Sequence, residues 1–340
     1  MRCSKTRKQI RGSKNSQWKL LDSHITKSAL FYYNDSKKVE RRAWVMNVLG
    51  IDIGGTNFRI GIVLEDGSLA KFEKVPTASV FCSGDVLGDL AGFLKSASAG
   101  FPFDAVTIGF PATLNRDRTQ VVQAPNIPFM EQVPVVDTLQ AALGVPVLAE
   151  RDVTFALCYD VEKYKLPIEG LICGIYYGTG IGNAILVGGR PLTGRHGAAG
   201  ELGHIPVPGS GIPCGCGNTG CMEAVAGGKA LARLQKERFP ETPIGEMFLR
   251  HGEDPALTEF IDRMACAAAA EINILDPDHV LLGGGVLNMQ GFPRALLDEK
   301  IREHTRKPLP WSELNLIYTE DEPDKSVVGG AIYARRRLGR

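Results

Sequence analysis

The sequence predicts an α/β protein of two domains, and three observations lead to this prediction. A unit of strand, glycine-rich turn and strand occurs twice, at residues 47–67 and again at residues 171–190. Each copy is followed by segments that alternate between helical periodicity and short buried strands. The chain has 340 residues, of which 44% are hydrophobic, and this is enough material for two hydrophobic cores.

The first predicted domain covers residues 46–155 and is completed by a helix at the end of the chain, residues 326–340. Apolar runs alternate with turn residues in this part, which is typical of short strands and amphipathic helices. The predicted elements are the hairpin 47–67, a helix within 80–98, a strand within 104–114, a helix over 137–144 that Gly144 ends, and a strand over 145–152.

The second predicted domain covers residues 156–325 and repeats the same kinds of element, with the join near residue 155. Its longest apolar segment has the length of a helix and stops before Pro277. The predicted elements are a helix over 153–164, the hairpin 171–190, a helix over 224–239, a helix over 260–277 and a buried strand in 279–287 that runs into three glycines.

The basic charge of the chain is concentrated in residues 1–45, which carry 12 Lys and Arg against 3 Asp and Glu. A basic arm of this kind can bind nucleic acid. We favour instead a disordered extension or an upstream start-site error, because Met46 directly precedes the first strand. No apolar run has membrane-spanning length and no secretory signal is evident, so we expect a cytoplasmic protein with neither a membrane nor a nucleic acid as partner.

Three glycine-rich turns follow predicted strands, at 52–57, at 178–182 and at 283–285. Without a Cβ atom, glycine lets backbone N–H groups approach an anion, and an adjacent aspartate can hold magnesium. A hairpin turn can also need glycine simply for a positive φ. Because three such turns occur together, we favour nucleotide phosphates as their ligand, although the chain lacks a P-loop and the GxGxxG pattern.

Asp152 ends a predicted strand and precedes a helix, so it can point into a cleft and accept a hydroxyl proton. Aspartate at this junction is more often the N-cap of the helix, and for this residue alone the cap is the better interpretation. Asn126, in the segment QAPNIPF, is ambiguous in the same way, as a turn residue or as an amide directed at a polar ligand.

A cluster of soft ligands lies between residues 204 and 221, where His204 is followed by Cys214, Cys216 and Cys221. One imidazole and three thiolates match a closed tetrahedral zinc site, which leaves no position for a reacting water. A disulfide would leave one thiol unpaired and suits secreted proteins. A catalytic thiol would explain only one of the cysteines, so we predict structural zinc.

These motifs together resemble the ROK family, named for repressors, open reading frames and sugar kinases. The segments GELGHIPV and CGCGNTGCME resemble its signature, and DIGGT, GTGIG and LGGGV resemble its phosphate and adenosine segments. The resemblance extends from residue 46 to about residue 335. It implies an actin-like, ribonuclease H-like ATPase fold with an interdomain cleft, and ATP-dependent phosphorylation of a hexose, usually at the 6-hydroxyl.

The resemblance also implies roles for individual residues. Asp152 takes the position of the catalytic base, and Asp52 helps to position Mg²⁺. The implied sugar ligands are Asn126, Arg151, Asp152, Glu201, His204 and Glu223, with His204 binding zinc through its other ring nitrogen. The implied ATP-binding residues are Asp52, Gly54, Gly55, Thr56, Asn57, Gly178, Thr179, Gly180, Gly283, Gly284 and Gly285.

Two departures from the family pattern bear on the substrate. Arg151 stands where the family usually has asparagine, and Ala112 stands where glucokinase-like members have glycine. These residues and the segments PNIP and GGGVLNMQGFPR most resemble the D-allose kinase branch, with glucose, fructose, N-acetylmannosamine and N-acetylglucosamine as alternative substrates. A sugar-responsive repressor is the competing function, but residues 1–45 are too short for its winged-helix domain. Members of the family often form homodimers.

Overall fold

A computed structural model of the protein describes residues 46–339. The predicted basic extension, residues 1–45, and residue 340 of the predicted last helix lie outside this range. No helix within the described range is both long and apolar enough to cross a membrane.

In the described range twelve strands form two five-stranded sheets and one small two-stranded sheet. Their bounds are β1 Val48–Ile53, β2 Asn57–Val63, β3 Leu69–Pro76, β4 Ala105–Phe110, β5 Thr113–Leu114, β6 Val121–Gln123, β7 Val147–Arg151, β8 Leu171–Tyr177, β9 Ile181–Val187, β10 Arg190–Pro191, β11 His279–Gly283 and β12 Leu316–Tyr318.

The same range contains ten α-helices. Their bounds are α1 Thr77–Val80, α2 Val86–Ala97, α3 Val135–Leu143, α4 Asp152–Lys163, α5 Glu223–Ala226, α6 Gly228–Arg238, α7 Met247–His251, α8 Pro255–Leu275, α9 Arg294–His304 and α10 Lys325–Leu338.

The two large sheets have the same topology. The first has the order β3-β2-β1-β4-β7, and the second has the order β10-β9-β8-β11-β12. In each sheet a hairpin of antiparallel strands is extended by two parallel strands. We call the part built on the first sheet the N-lobe and the part built on the second sheet the C-lobe. The predicted repeat of a hairpin followed by α/β elements is therefore present.

Each lobe has its own hydrophobic core. In the N-lobe the apolar faces of α2 and α3 pack against the first sheet, whose central strand β1 is buried at every position. In the C-lobe α8 and α9 pack against the second sheet. The last helix, α10, packs against α4 and the strands β1 and β4 of the N-lobe. The chain thus returns to the N-lobe at its end.

The register of the strands gathers candidate site residues at one edge of each sheet. In the N-lobe β1, β4 and β7 are parallel, so their carboxyl ends lie together, and β1 ends beside the turn of residues 54–56. In the C-lobe the corresponding turn is residues 178–180, between the paired residues Tyr177 and Ile181. Polar groups that follow parallel strands are therefore gathered at these edges.

The predicted helix over 224–239 is wrong as a single helix. Gly227 takes an extended backbone with φ of −90° and ψ of 172°, which separates α5 from α6. The amide of the next residue, Gly228, donates to the carbonyl of Gly178 at 2.9 Å. This bond to a distant turn replaces the helical bond, and the local periodicity of the sequence carries no sign of it.

Other element ends also differ from the predictions. The helix predicted over 260–277 begins five residues earlier, because the carboxylate of Asp254 accepts from the amide of Ala256 and caps the helix. The strand predicted over 279–287 ends at Gly283, since the next residue takes a φ of +97°. The strands β3 and β12 and the helix α9 were not predicted.

Candidate active site

A cavity of about 710 Å³ lies between the lobes, at the carboxyl ends of the parallel strands. Most residues that the sequence singled out line this one cavity. They are Gly54, Gly55, Thr56, Asn126, Arg151, Asp152, Gly178, Thr179, Gly180, Glu201, His204, Cys216, Glu223 and Gly284. The other predicted residues, Asp52, Asn57, Cys214, Cys221, Gly283 and Gly285, are not among the lining residues.

The glycines of the two hairpin turns lie either against close neighbours or beside open space. Gly54, Gly55, Gly178 and Gly180 do not have positive φ, so a left-handed backbone is not the reason for them. A Cβ at Gly55 would lie 2.8 Å from the carbonyl oxygen of Asn126, whereas a Cβ at Gly178 would meet nothing within 4 Å. The backbone of both turns therefore borders the cavity closely, which suits an anion.

The three glycines of residues 283–285 have different surroundings. Gly283 ends β11 and packs against Tyr176 and Thr319, where a Cβ would overlap both side chains. Gly284 has a φ of +97° and faces the cavity. Gly285 is exposed. Of the three glycines predicted to border adenosine, Gly284 is therefore the one that reaches the cavity.

Asp152 is the first residue of α4 and is not its N-cap, which is Arg151. Its Oδ1 atom accepts from the amide of Val153 at 2.8 Å. Burial, and then the nearby carboxylate of Asp52, raise the pKa of Asp152 to about 7. The cap interpretation is thus wrong, and the carboxyl group is poised to exchange a proton near neutral pH.

Asp52, the carboxylate near Asp152, forms a buried ion pair. Its Oδ2 atom accepts from Nη1 of Arg59 at 2.8 Å, and Asp52 is only 7% exposed. Burial raises the pKa of Asp52, while Arg59 acts in the opposite direction. Arg59 was not predicted, because the sequence of strand β2 does not distinguish an arginine with a structural role from one that orients a site residue.

The predicted sugar ligands Arg151, Glu201 and Glu223 line the same cavity, and we call the part that they line its sugar end. Arg151 donates from Nη1 to Glu201 Oε1 at 3.1 Å and from Nη2 to the carbonyl of Ala199 at 3.1 Å. Glu223 begins α5, and its Oε2 atom accepts from the amide of Ile181 at 3.1 Å. These side chains therefore bring two carboxylates and a guanidinium to one polar surface.

The cysteine cluster fits a tetrahedral metal site. The sulfurs of Cys216 and Cys221 are 3.7 Å apart, and Nδ1 of His204 is 3.6 Å from the sulfur of Cys214. All four ligand atoms lie within 4.8 Å of one another. Zinc bonds of about 2.3 Å to sulfur and about 2.0 Å to nitrogen imply tetrahedral edges of about 3.8 and 3.6 Å. The side chains thus fit zinc, and none of the three cysteines of the cluster is in a disulfide.

The loop from Glu201 to Glu223 carries the cysteine cluster and also lines the cavity. A one-turn 3₁₀ helix, Leu202–His204, directs Nδ1 of the histidine toward the cysteines, and its Nε2 atom lies 3.7 Å from Glu201 Oε2. On the other side, Glu223 follows Cys221 by two residues, and Cys216 itself lines the cavity. A metal in the cluster would therefore fix both ends of the loop that carries the carboxylates.

Two further groups escaped the sequence analysis. Asn183 lines the cavity and is only 2% exposed, and its position three residues after Gly180 gives no sequence signal. Asp262, Cys266 and His304 come together between α8 and α9, away from the cavity. There Nε2 of His304 lies 2.8 Å from Asp262 Oδ1, so these two side chains already bind one another.

Two lobes of identical topology that enclose a cleft with facing glycine turns define an actin-like ATPase fold, as predicted. Residues 48–337 match the ROK family, and the chain belongs to that family. It is 31% identical over 319 residues to a glucokinase of Thermotoga maritima, covering 86% of this chain and 99% of the relative.

Two more similarities support the assignment. An N-acetyl-D-glucosamine kinase of Pectobacterium atrosepticum is 32% identical, with 83% of this chain and 96% of the relative covered. The crystal structure of a ROK family glucokinase from Streptomyces griseus in complex with glucose and AMPPNP matches with a TM-score of 0.67 and 28% identity. That match covers 85% of this chain and 99% of the other.

Proposed function

We propose that the chain is an ATP-dependent sugar kinase that transfers the terminal phosphoryl group of ATP to the 6-hydroxyl of a hexose. The observation that carries this proposal is that one cavity is lined by both glycine turns, by Asp152 and by the carboxylates Glu201 and Glu223. A phosphoryl donor and a polyhydroxylated acceptor therefore both find matching groups there. The kinases among its relatives support the same activity.

Asp152 acts as the general base in this proposal. Its carboxylate takes the proton from the 6-hydroxyl as the new oxygen–phosphorus bond forms and the bond to the leaving ADP breaks. Because the pKa of Asp152 is raised to about 7, the carboxylate is a stronger base than an ordinary aspartate and is still largely ionised slightly above neutral pH.

The hairpin turns supply the phosphate end of the site. Backbone groups of residues 54–56 and 178–180 face the cavity from the two lobes, so the phosphates of ATP lie between them. Because Asp52 does not itself line the cavity, its carboxylate would help to hold Mg²⁺ there through water, and the ion would neutralise phosphate charge. Arg59 fixes the orientation of that carboxylate.

The cysteine cluster has a structural role in this account. Zinc held by His204 and the three cysteines closes the loop, so that Glu201, Glu223 and the free Nε2 atom of His204 face one sugar. The four protein ligands complete a tetrahedron and leave no open position. Zinc in this site would therefore organise the pocket and would take no part in phosphoryl transfer.

We propose D-allose as the preferred hexose. Allose differs from glucose only at carbon 3, and Arg151 stands at the sugar end of the cavity where the family usually has asparagine. The side chain of Arg151 is only 8% exposed and its guanidinium is bonded to Glu201, so it lies among the groups that would bind sugar hydroxyls. A changed partner for one hydroxyl is sufficient to change the ranking of epimers.

A coupled assay of ADP release across hexoses tests the substrate. We expect the highest kcat/KM with allose, and we expect Arg151→Asn to shift the allose-to-glucose ratio toward glucose by about tenfold or more. Arg195→Asn, which changes an exposed arginine outside the cavity, serves as the matched control. An unchanged ratio in Arg151→Asn, or a higher kcat/KM for another hexose, would contradict this choice of substrate.

A further inference from the structure

A buried carboxyl group beneath the sugar end of the cavity has no part in the function described so far. Glu271, on α8, is only 5% exposed, and burial raises its pKa to about 7. Its two oxygens accept from Nδ2 of Asn183 at 2.8 and 2.9 Å, and the thiol of Cys173 also faces it. Glu271 therefore fixes one side chain of strand β9.

The contacts of Asn183 determine which way its amide points. Nδ2 also donates to the carbonyl of Gly174 at 3.1 Å, so every acceptor lies on the side of the amino group. This assigns the amide nitrogen toward Glu271 and the amide oxygen toward the cavity, where Gly200 and Arg151 lie. Glu271 thus holds the Asn183 amide so that its oxygen, a hydrogen-bond acceptor, faces the sugar end of the cavity.

Two buried polar atoms in this corner have no partner among the described residues. They are Oδ1 of Asn183 and Nε of Arg151, an acceptor and a donor. Gly200 lies beside both residues, with a φ of +78°. A Cβ built there would be 2.7 Å from Asn183 Oδ1 and 3.4 Å from Arg151 Nη2, so the absent side chain leaves the guanidinium room to move.

Unpaired buried groups are unfavourable. Oδ1 of Asn183 and Nη2 of Arg151 both border the space where a side chain at Gly200 would lie, so the two side chains face one another across this glycine. At present Arg151 is held by Glu201 and by the carbonyl of Ala199. Glu201 is 34% exposed at its side chain, whereas Arg151 is 8% exposed, so an entering hydroxyl meets the carboxylate first. Competition for Glu201 would release the guanidinium on the side of Asn183.

We propose that Asn183 positions Arg151 during sugar binding. When a sugar hydroxyl takes Glu201, the guanidinium turns to the side-chain oxygen of Asn183, and Arg151 is then held against the sugar. Glu271 acts only through Asn183, which it keeps in the correct orientation. This inference rests on the proposed hexose kinase function, and Asn183 is a positioning residue for it.

Kinetics of Asn183→Ala, alone and combined with Arg151→Asn, test the inference with D-allose and D-glucose. We expect Asn183→Ala to raise the KM for the sugar about tenfold, with kcat and the KM for ATP within threefold of the original values. In the Arg151→Asn background the same change should have no further effect on KM, because its target is gone. Asn273→Ala, which removes an asparagine with two hydrogen bonds outside the cavity, is the control.

Asn183→Ala leaves Glu271 without its partner, so a second variant guards against unfolding. Asn183→Ala combined with Glu271→Leu removes both members of the buried pair and should show the same KM. An unchanged sugar KM in the folded variants, or an equal rise with and without Arg151, would overturn the inference alone. Absence of ADP release with every hexose in the unaltered protein would overturn the proposed function, and this inference with it.

Discussion

The proposed chemistry depends most on the carboxyl group of Asp152. It must be ionised to accept a proton, and its pKa is raised to about 7 by burial and by Asp52. We therefore expect kcat to fall as the pH drops below about 7, as measured by ADP release between pH 5 and pH 9. A kcat that stays constant down to pH 5 would contradict the assignment of this group as the base.

Replacement of this group separates catalysis from binding. Asp152→Asn should lower kcat by at least about 100-fold, the smaller end of what a general base contributes. Sugar affinity, measured calorimetrically without ATP, should change only a few-fold because the amide fills the same space. Asp137→Asn, at an exposed position of α3, should change neither quantity. Turnover by Asp152→Asn equal to that of the unaltered protein would exclude the role.

The same substitution has a consequence for stability. The pKa of Asp152 is raised above its ordinary value of 3.8, so the folded protein holds this proton more tightly than the unfolded chain. The ionised group therefore costs stability above pH 4, and the cost reaches its full size above pH 7. Asp152→Asn should melt at a higher temperature than the unaltered protein at pH 8, and this difference should shrink toward pH 4.

Single residues also show what the sequence could and could not predict. The cysteine spacing predicted the group that the structure brings together, because ligand type and loop length together leave few alternatives. Asp152 was ambiguous, since an N-cap and a base have the same sequence position, and only the helix geometry separates them. Asn183 and Arg59 were missed because their importance comes from partners that are distant in the sequence.

At the scale of elements, the loop from Glu201 to Glu223 is the part that a metal would organise. An isolated bridge pairs Pro206 with Cys221, and the amide of Cys214 donates to the carbonyl of Asn218, so backbone bonds bring the two sides of the loop together. The ligand atoms are nevertheless held only by this irregular backbone. We expect the loop to need zinc to keep Glu201 and Glu223 in place.

Removal of one ligand tests this dependence. Cys216→Ser should abolish stoichiometric zinc, measured by elemental analysis, and raise the KM for the sugar about tenfold or more because the carboxylates are displaced. Cys266→Ser is the matched control, since this cysteine lies with Asp262 and His304 away from the cavity. Full zinc content in Cys216→Ser, or an equal loss in Cys266→Ser, would contradict the assignment.

The helices illustrate a second limit of sequence analysis. Local periodicity predicted one helix over 224–239, but two are present. The amide of Gly228 donates to the carbonyl of Gly178, in the turn between β8 and β9. That break gives α6 its contact with the turn of residues 178–180. A tertiary hydrogen bond therefore overrides local propensity at the place where the phosphate turn needs support.

At the scale of the whole molecule, the repeat of hairpin and parallel strands was evident in the sequence, because both glycine turns follow runs of buried residues. The edge strands β3 and β12 were not evident, since β3 is half-exposed with no clear alternation and β12 has only three residues. The helix at the end of the chain was predicted to complete the first domain, and α10 packs there against α4, β1 and β4.

The central claim is that the cleft between the lobes transfers a phosphoryl group from ATP to carbon 6 of a hexose. Phosphorus NMR of a mixture of the protein, Mg²⁺, ATP and D-allose tests it most directly. We predict a sugar phosphate resonance coupled to the two protons on carbon 6, together with ADP, and neither with 6-deoxy-D-allose. A phosphate on another carbon, or ADP formed equally with the 6-deoxy sugar, would contradict the account.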